Sequence, residues 1–233
     1  MGIVLIFLAL SQDPTPAAAW MALGMARAAE GNLEAALEPF RRACEMDPEH
    51  PDTCYYLGRN LFALNRHDLA VQPLETALRA STRASRWRVH RALARNFEVL
   101  GRADEAEAHF RESIRLRRGQ ASAGEDPRID YGAFLFRQGR AAEALAPLEQ
   151  AAVSPGSARA HAELGRVLLD LGRADAAAAS LERAVAANPS DWAARLLLGK
   201  AYYRLGRTAD GDRETRLGHQ GLGGQPQGSS TVR

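Results

Sequence analysis

Residues 164–172 read LGRVLLDLG, and residues 198–206 read LGKAYYRLG. Both are a leucine-glycine pair, a short run rich in helix formers, and a second leucine-glycine pair, and the closing glycines, Gly172 and Gly206, stand 34 positions apart. A period of that length belongs to stacked helical repeats, in which one helix pair recurs along the chain. With the residue that closes each such segment as a marker, the chain yields Gly31, Asn65, Gly101, Gly139, Gly172 and Gly206, at spacings of 34, 36, 38, 33 and 34. The repeats then start at Ala17, Pro51, Trp87, Glu125, Ala158 and Trp192.

Composition agrees with a helical reading. Of 233 residues, 46% are hydrophobic and only 6% aromatic, while Ala, Leu, Glu and Arg, all good helix formers, dominate. The net charge of +2, from 30 basic and 28 acidic residues, carries no whole-chain signature of a nucleic-acid or membrane partner. Lys200 is the one lysine, so the positive charge is almost wholly guanidinium, which stays protonated and forks onto carboxylates.

Inside the frames the same positions recur. The eighth holds Gly24, Gly58, Ala94, Gly132, Gly165 and Gly199, and the seventh Leu23, Leu57, Leu93, Tyr131, Leu164 and Leu198. The twentieth holds Ala36, Ala70, Ala106, Ala144 and Ala177; the twenty-fourth Phe40, Leu74, Phe110, Leu148 and Leu181; the twenty-seventh Ala43, Ala77, Ser113, Ala151 and Ala184. A helix-interior glycine costs about 1 kcal/mol relative to alanine. Its recurrence calls for a close helix-helix approach, and the pattern predicts that small residues at eight and twenty meet across each hairpin.

This pattern resembles the tetratricopeptide repeat, a helix-turn-helix of 34 residues with Trp, Leu-Gly and Tyr in its first helix and Ala, Phe, Ala and Pro in its second. The first repeat carries Trp20, Leu23, Gly24, Ala36, Phe40, Ala43 and Pro48, and the fifth carries Leu164, Gly165, Ala177, Leu181, Ala184 and Pro189. The third departs most, with Ala94 for Gly, Ser113 for Ala and Arg118 for Pro. The resemblance implies an all-α, right-handed solenoid over residues 17–217, with five full repeats and a capping hairpin from 192. Residues 218–233, rich in Gly, Gln and Ser, read as a disordered tail, and residues 119–127 as a loop insertion. Pro39, Pro73 and Pro147 share the twenty-third position, where each removes a backbone donor and bends the second helix.

In that family the first helices line a concave groove that holds peptides. Carried over position by position, the groove of this chain has Arg59, Arg95, Arg166 and Lys200 at position nine, with Arg88, Arg91 and Arg204 nearby and Tyr55, Phe62, Phe136 and Tyr203 as aromatic neighbours. A basic ladder suits an acidic or extended segment of a partner protein, since Arg pairs carboxylates bidentately. Met21, Met25 and Tyr56 stand where members that clamp a C-terminal carboxylate carry Lys and Asn, which argues against that mode. The competing reading pairs the same arginines with Asp52, Asp126, Asp130, Glu163 and Asp170, leaving a structural assembly component with no groove ligand.

Residues 81–120 hold ten arginines against five acids, a local balance that would serve RNA binding through the third repeat, though exposed aromatics for base stacking are few there. Cys44 and Cys54 flank the junction between the first two repeats, either as a disulfide across a tight turn or as buried thiols; with His50 alone beside them they make no usual metal set. His90 and His161 take the position of Trp20 and read as packing residues. Phosphate loops, nucleophile elbows and paired-carboxylate motifs are missing, so the expected role is binding, without catalysis, cofactor or metal. The apolar run Ile3–Leu10 is too short to cross a bilayer, which takes about 20 residues. It reads either as the core of a secretory signal, with Ala9 and Ser11 at a cleavage site but no preceding Lys or Arg, or as an apolar strip packed on the first helix. Export follows only from the first reading; otherwise the chain is cytoplasmic.

Overall fold

The computed structural model describes residues 15–117, 126–154 and 156–223. Among them are twelve α-helices and no strand: α1 Pro16–Ala29, α2 Leu33–Met46, α3 Thr53–Ala63, α4 His67–Ala80, α5 Arg86–Val99, α6 Ala103–Leu116, α7 Pro127–Arg137, α8 Ala141–Ala152, α9 Ala158–Asp170, α10 Ala174–Ala187, α11 Trp192–Arg204 and α12 Thr208–Gly223. They pair in order as six hairpins, giving an all-α helical repeat solenoid. The chain forms two compact bodies, residues 1–118 with α1–α6 and residues 119–233 with α7–α12. Within each body a helix packs on its own partner and on the first helix of the next repeat, as α2 does on α3 and α10 on α11.

The first helices end alike. Gly172 has φ +73°, a left-handed conformation that costs a residue with a Cβ about 1–2 kcal/mol. There the Arg173 N–H donates to the Leu168 carbonyl and the Gly172 N–H to Leu169, so both orphan carbonyls of the last turn are satisfied. Asn65, with φ +58°, plays the same part in the second repeat, as the residue type that tolerates this region best after glycine.

Position eight has a nearer neighbour than the expected one at twenty. A methyl group on Gly24 would meet the Phe40 ring at 2.6 Å, and one on Gly58 would meet Leu74 Cγ at 2.5 Å; Gly132 and Gly165 face Leu148 and Leu181 in the same way. The small residue at eight therefore receives the large residue at twenty-four, while the backbone of position twenty also comes close, Ala70 O at 3.4 Å from a methyl on Gly58 and Gly211 O at 3.1 Å from one on Gly199. A branched or aromatic side chain fills the hole, which buries more apolar area than two small residues facing each other. Phe40, Leu74, Phe110, Leu148 and Leu181 are all at most 2% exposed.

The other expectations fall as follows. Pro39, Pro73 and Pro147 sit inside continuous helices, α2, α4 and α8. Asp126 caps α7, its carboxylate accepting the Arg128 N–H, and Pro127 is the first helical residue; the rest of the expected 119–127 loop lies outside the described residues, as does the 1–14 segment. The tail boundary at 217 is corrected, because α12 continues to Gly223. Gly218 and Gly221 lie against Leu196 and Trp192, where a Cβ would collide with both side chains. Their small size lets the last turns of α12 press onto α11.

A disulfide joins Cys44 to Cys54, with 4.6 Å between their Cα atoms, and ties the end of α2 to the start of α3. Thr53 Oγ1 reinforces the same junction by donating to the Asp47 carbonyl at 2.6 Å. Both sulfurs are consumed in the bridge, so neither is a thiolate ligand, and His50 Nδ1 accepts the Asp52 N–H.

Candidate functional site

In the N-terminal body, α3 and α5 bring the first half of the predicted groove residues together. Tyr55 is buried, 7% exposed, and forms a floor rather than an open contact. Its ring carries two guanidinium groups, Arg59 at 5.6 Å and Arg88 at 5.4 Å from the centroid. Arg59 also lies 6.0 Å from the Tyr56 ring, and Arg95 lies 4.9 Å from that of Phe62, itself half-buried. Such contacts contribute about 0.5–1 kcal/mol at exposed positions and hold a long side chain in one place. A guanidinium held over a ring keeps N–H donors of the kind that pair with a carboxylate.

The arginines are not equivalent. Arg88 donates to Asp52 at 3.1 Å, so one rung is already an internal ion pair. Arg59 and Arg95 are exposed, Arg91 is half-buried, and Arg59 has no carboxylate partner among the described residues. Asp52, which the competing reading names, thus answers Arg88 and leaves Arg59 without its charge.

In the C-terminal body, Arg166 and Lys200 are exposed on α9 and α11. Arg166 reaches Glu163 on its own helix only at 3.7 Å, and Lys200 has no ion-pair partner among the described residues. Tyr203 is 43% exposed and donates its hydroxyl to Asp212 at 2.7 Å, a bond to a carboxylate that pushes the phenol above its ordinary value. Phe136 is half-buried beside the α7 terminus. Arg204 has a structural task that its position did not announce: its Nη1 donates to the Leu169 carbonyl, the penultimate one of α9. Arg159, from the same set of positions, is held by the buried Asp130 at 2.5 Å.

Asparagine at position ten went unremarked in the sequence. Asn60 and Asn96 are buried and reach back to the preceding second helix, donating to the Leu33 carbonyl at 2.8 Å and the His67 carbonyl at 2.9 Å. The signal was available as one polar residue in phase inside two apolar faces. Both bonds fix neighbouring repeats of the N-terminal body in register and so set the spacing of Arg59 and Arg95.

Tetratricopeptide repeat profiles match residues 27–95 and 135–182, residues 162–211, and residues 87–112. The chain belongs to the tetratricopeptide repeat family. Among solved structures, PilW, a type IV pilus biogenesis factor, superposes with TM-score 0.75 at 17% identity, over 90% of this chain and 94% of that one. PilF of Pseudomonas aeruginosa gives 0.66 at 24% identity, over 76% and 78%. YrrB, a TPR protein with an unusual peptide-binding site, gives 0.56 at 18%, over 80% and 93%. At these identities the likeness is one of fold. No curated protein matches the chain in sequence. Tetratricopeptide repeat proteins are generally non-enzymatic scaffolds for protein partners, and that fold points to a scaffold role here. Among the described residues no helix is long and apolar enough to cross a membrane.

Proposed function

We propose that this tetratricopeptide protein is an interaction scaffold whose first helices bind an acidic or extended segment of a partner protein. The observation that carries the reading is the pair Arg59 and Arg95, two exposed arginines whose guanidinium groups lie over the aromatic side chains Tyr55, Tyr56 and Phe62. Placing a cation on a ring reduces the rotamer freedom it would otherwise lose on binding, so a carboxylate meets a site already organised. Arg91 adds charge beside them, and Arg166, Lys200 and Tyr203 offer a second such surface on the C-terminal body. The peptide-binding site of YrrB, on the same fold, lends support to this use of the architecture.

The test is fluorescence anisotropy with labelled peptides of equal length, one set rich in Asp and Glu and one rich in Lys. Acidic peptides bind and basic ones do not, and the affinity falls as salt is raised. Arg59→Glu with Arg95→Glu weakens binding by at least about tenfold, the effect of losing one charge-assisted hydrogen bond. A thermal midpoint close to that of the parent chain excludes unfolding as the cause. Indifference to peptide charge, or to the double reversal, would leave the structural-assembly reading in its place.

A further inference from the structure

Cys54 immediately precedes Tyr55 and Tyr56, the two rings under Arg59. It is the second residue of α3, in a turn that its own cap does not hold: Asp52, at the N-cap, makes no side-chain cap bond and is paired instead with Arg88 on α5. The bridge to Cys44, the Thr53 hydroxyl on the Asp47 carbonyl and the Tyr56 ring stacked on Phe40 at 5.9 Å tie that turn to α2 and its C-terminal end. Tyr55 in turn meets the Tyr56 ring edge-on at 5.6 Å. The far end of the α3–α4 hairpin is fastened to α2 without sulfur, by Asn60 on the Leu33 carbonyl at 2.8 Å and by Arg66 on Glu34 at 2.8 Å. Opening the bridge therefore loosens the first turn of α3 and leaves its other end in register.

The two halves of the bridge differ in access. Cys54 is fully buried, whereas Cys44, in the last turn of α2, is half-buried. Resting on the reading of Arg59 and its rings as part of an acidic-peptide surface, we propose that the Cys44–Cys54 bridge is a thiol-operated switch on that surface. A thiolate of an external dithiol attacks Cys44 Sγ and forms a mixed disulfide there. The Cys44–Cys54 bond breaks with its electron pair on Cys54 Sγ, which then takes up a proton. The second thiolate of the reagent attacks the reagent's own sulfur in the mixed disulfide, which closes the reagent's disulfide and releases Cys44 as a thiol. The protein gains two electrons and two protons, and the dithiol is oxidised by the same count. Cys54 is the half suited to leave, because the first turn of a helix favours negative charge. With the bridge open the turn that carries Tyr55 and Tyr56 frays, and Arg59 must be ordered again when a carboxylate binds.

The test is acidic-peptide anisotropy on the full chain, oxidised and after treatment with dithiothreitol, with Cys44→Ala plus Cys54→Ala as the permanently open form. Reduction weakens binding by about three- to tenfold, the loss expected when one long side chain has to be ordered again. Reoxidation restores the affinity, and the double variant binds as the reduced chain does whether or not dithiothreitol is present. Far-UV circular dichroism is read on every sample. Equal affinity of the oxidised and reduced chains overturns the switch, and so does a helical signal lost on reduction, which makes the bridge a staple of the fold. An oxidised chain that binds no acidic peptide refutes the groove reading and the switch with it, a result distinct from equal binding by both forms. The route is read separately, by brief exposure to glutathione, an acid quench and peptide mass. The adduct is expected on Cys44, and an adduct on Cys54 overturns the order of attack.

Discussion

Gly165 and Gly172 lie in one nine-residue phrase and do unrelated work. A Cβ on Gly165 would strike Leu181, whereas Gly172 has open space around it and a positive φ. Gly165→Ala trades a gain of about 1 kcal/mol in helix propensity against overpacking of about 1–3 kcal/mol, and the branched carbon of a fully buried leucine has little room to move. The expected result is a lower urea midpoint that partly recovers in a Leu181→Ala background, beyond additivity. Gly172→Ala costs about 1–2 kcal/mol through its backbone alone, and Leu181→Ala does not rescue it. Equal coupling to Leu181 at both glycines would refute the assignment. The need for a small residue at position eight, and its nearness to position twenty, were legible in the recurrence; that the side chain at twenty-four comes closer still was not, because spacing along two helices does not say which turn faces which.

A second residue-scale consequence concerns His90. Its Nδ1 lies 2.9 Å from Nδ1 of His109, and both rings are half-buried between α5 and α6. Burial, then the charge of His109, depresses His90 to about 4, with Arg86 and Arg115 acting the same way and Glu112 opposing them. His109 is also lowered, chiefly by burial, against Glu105, Glu75 and Glu112. A histidine lowered in the folded state binds fewer protons there than in the unfolded chain. Its contribution to stability is therefore complete above its unfolded value near 6.5 and is lost as pH falls from there toward 4. Urea midpoints measured from neutral pH down through this window should fall, and His90→Leu should flatten that slope. An unchanged slope would show that other groups set it.

At the scale of elements, the Cys44–Cys54 bridge and the end of α12 fasten the two kinds of junction that the repeat pattern leaves loose. Closing a loop of ten residues stabilises by about 2.5–3 kcal/mol in the chain-entropy model. Replacing both cysteines with alanine should lower the stability of the N-terminal body by about that amount, and a reductant should reproduce it on the parent chain but leave the variant unchanged. The sequence left bridge and buried thiols open, because a separation of ten residues is compatible with both until the helix ends are placed. On α12, glycine content misled: Gly218 and Gly221 belong to a helix pressed on Trp192 and Leu196, and composition alone cannot tell a glycine used for flexibility from one used for contact. The same helix buries Glu214 in an ion pair with Arg195 at 2.8 Å, so its polar sequence is only partly a solvated one.

At the scale of the whole molecule, the alternation of first and second helices among the described residues was legible, because each hairpin must satisfy the same packing and the same helix stop. Charge was not. The arginine-rich third repeat reads as a basic patch in one dimension, but much of that charge is answered locally. Arg102 pairs with Glu105 at 2.6 Å, Arg111 with Glu107 at 2.6 Å, Arg115 with Glu112 at 2.5 Å and Arg88 with Asp52 at 3.1 Å. Arg117 is buried with its guanidinium 5.0 Å from the centre of the Trp87 ring. Each surface pair contributes little to stability, about 0–1 kcal/mol, but it removes a cation from the count available to phosphates. Nucleic-acid affinity depends on how many phosphates a surface neutralises, so a patch with four of its ten arginines in ion pairs and a fifth buried offers less than its sequence suggests. A labelled oligouridine should show no saturable binding below about 0.1 mM at physiological salt, the weak end of ordinary non-specific association. Under the same conditions an acidic peptide should neither compete with residual RNA binding nor lose its own, since it draws on Arg59 and Arg95 over the rings of α3. Tight RNA binding that survives Arg59→Glu with Arg95→Glu would overturn this division of the charge.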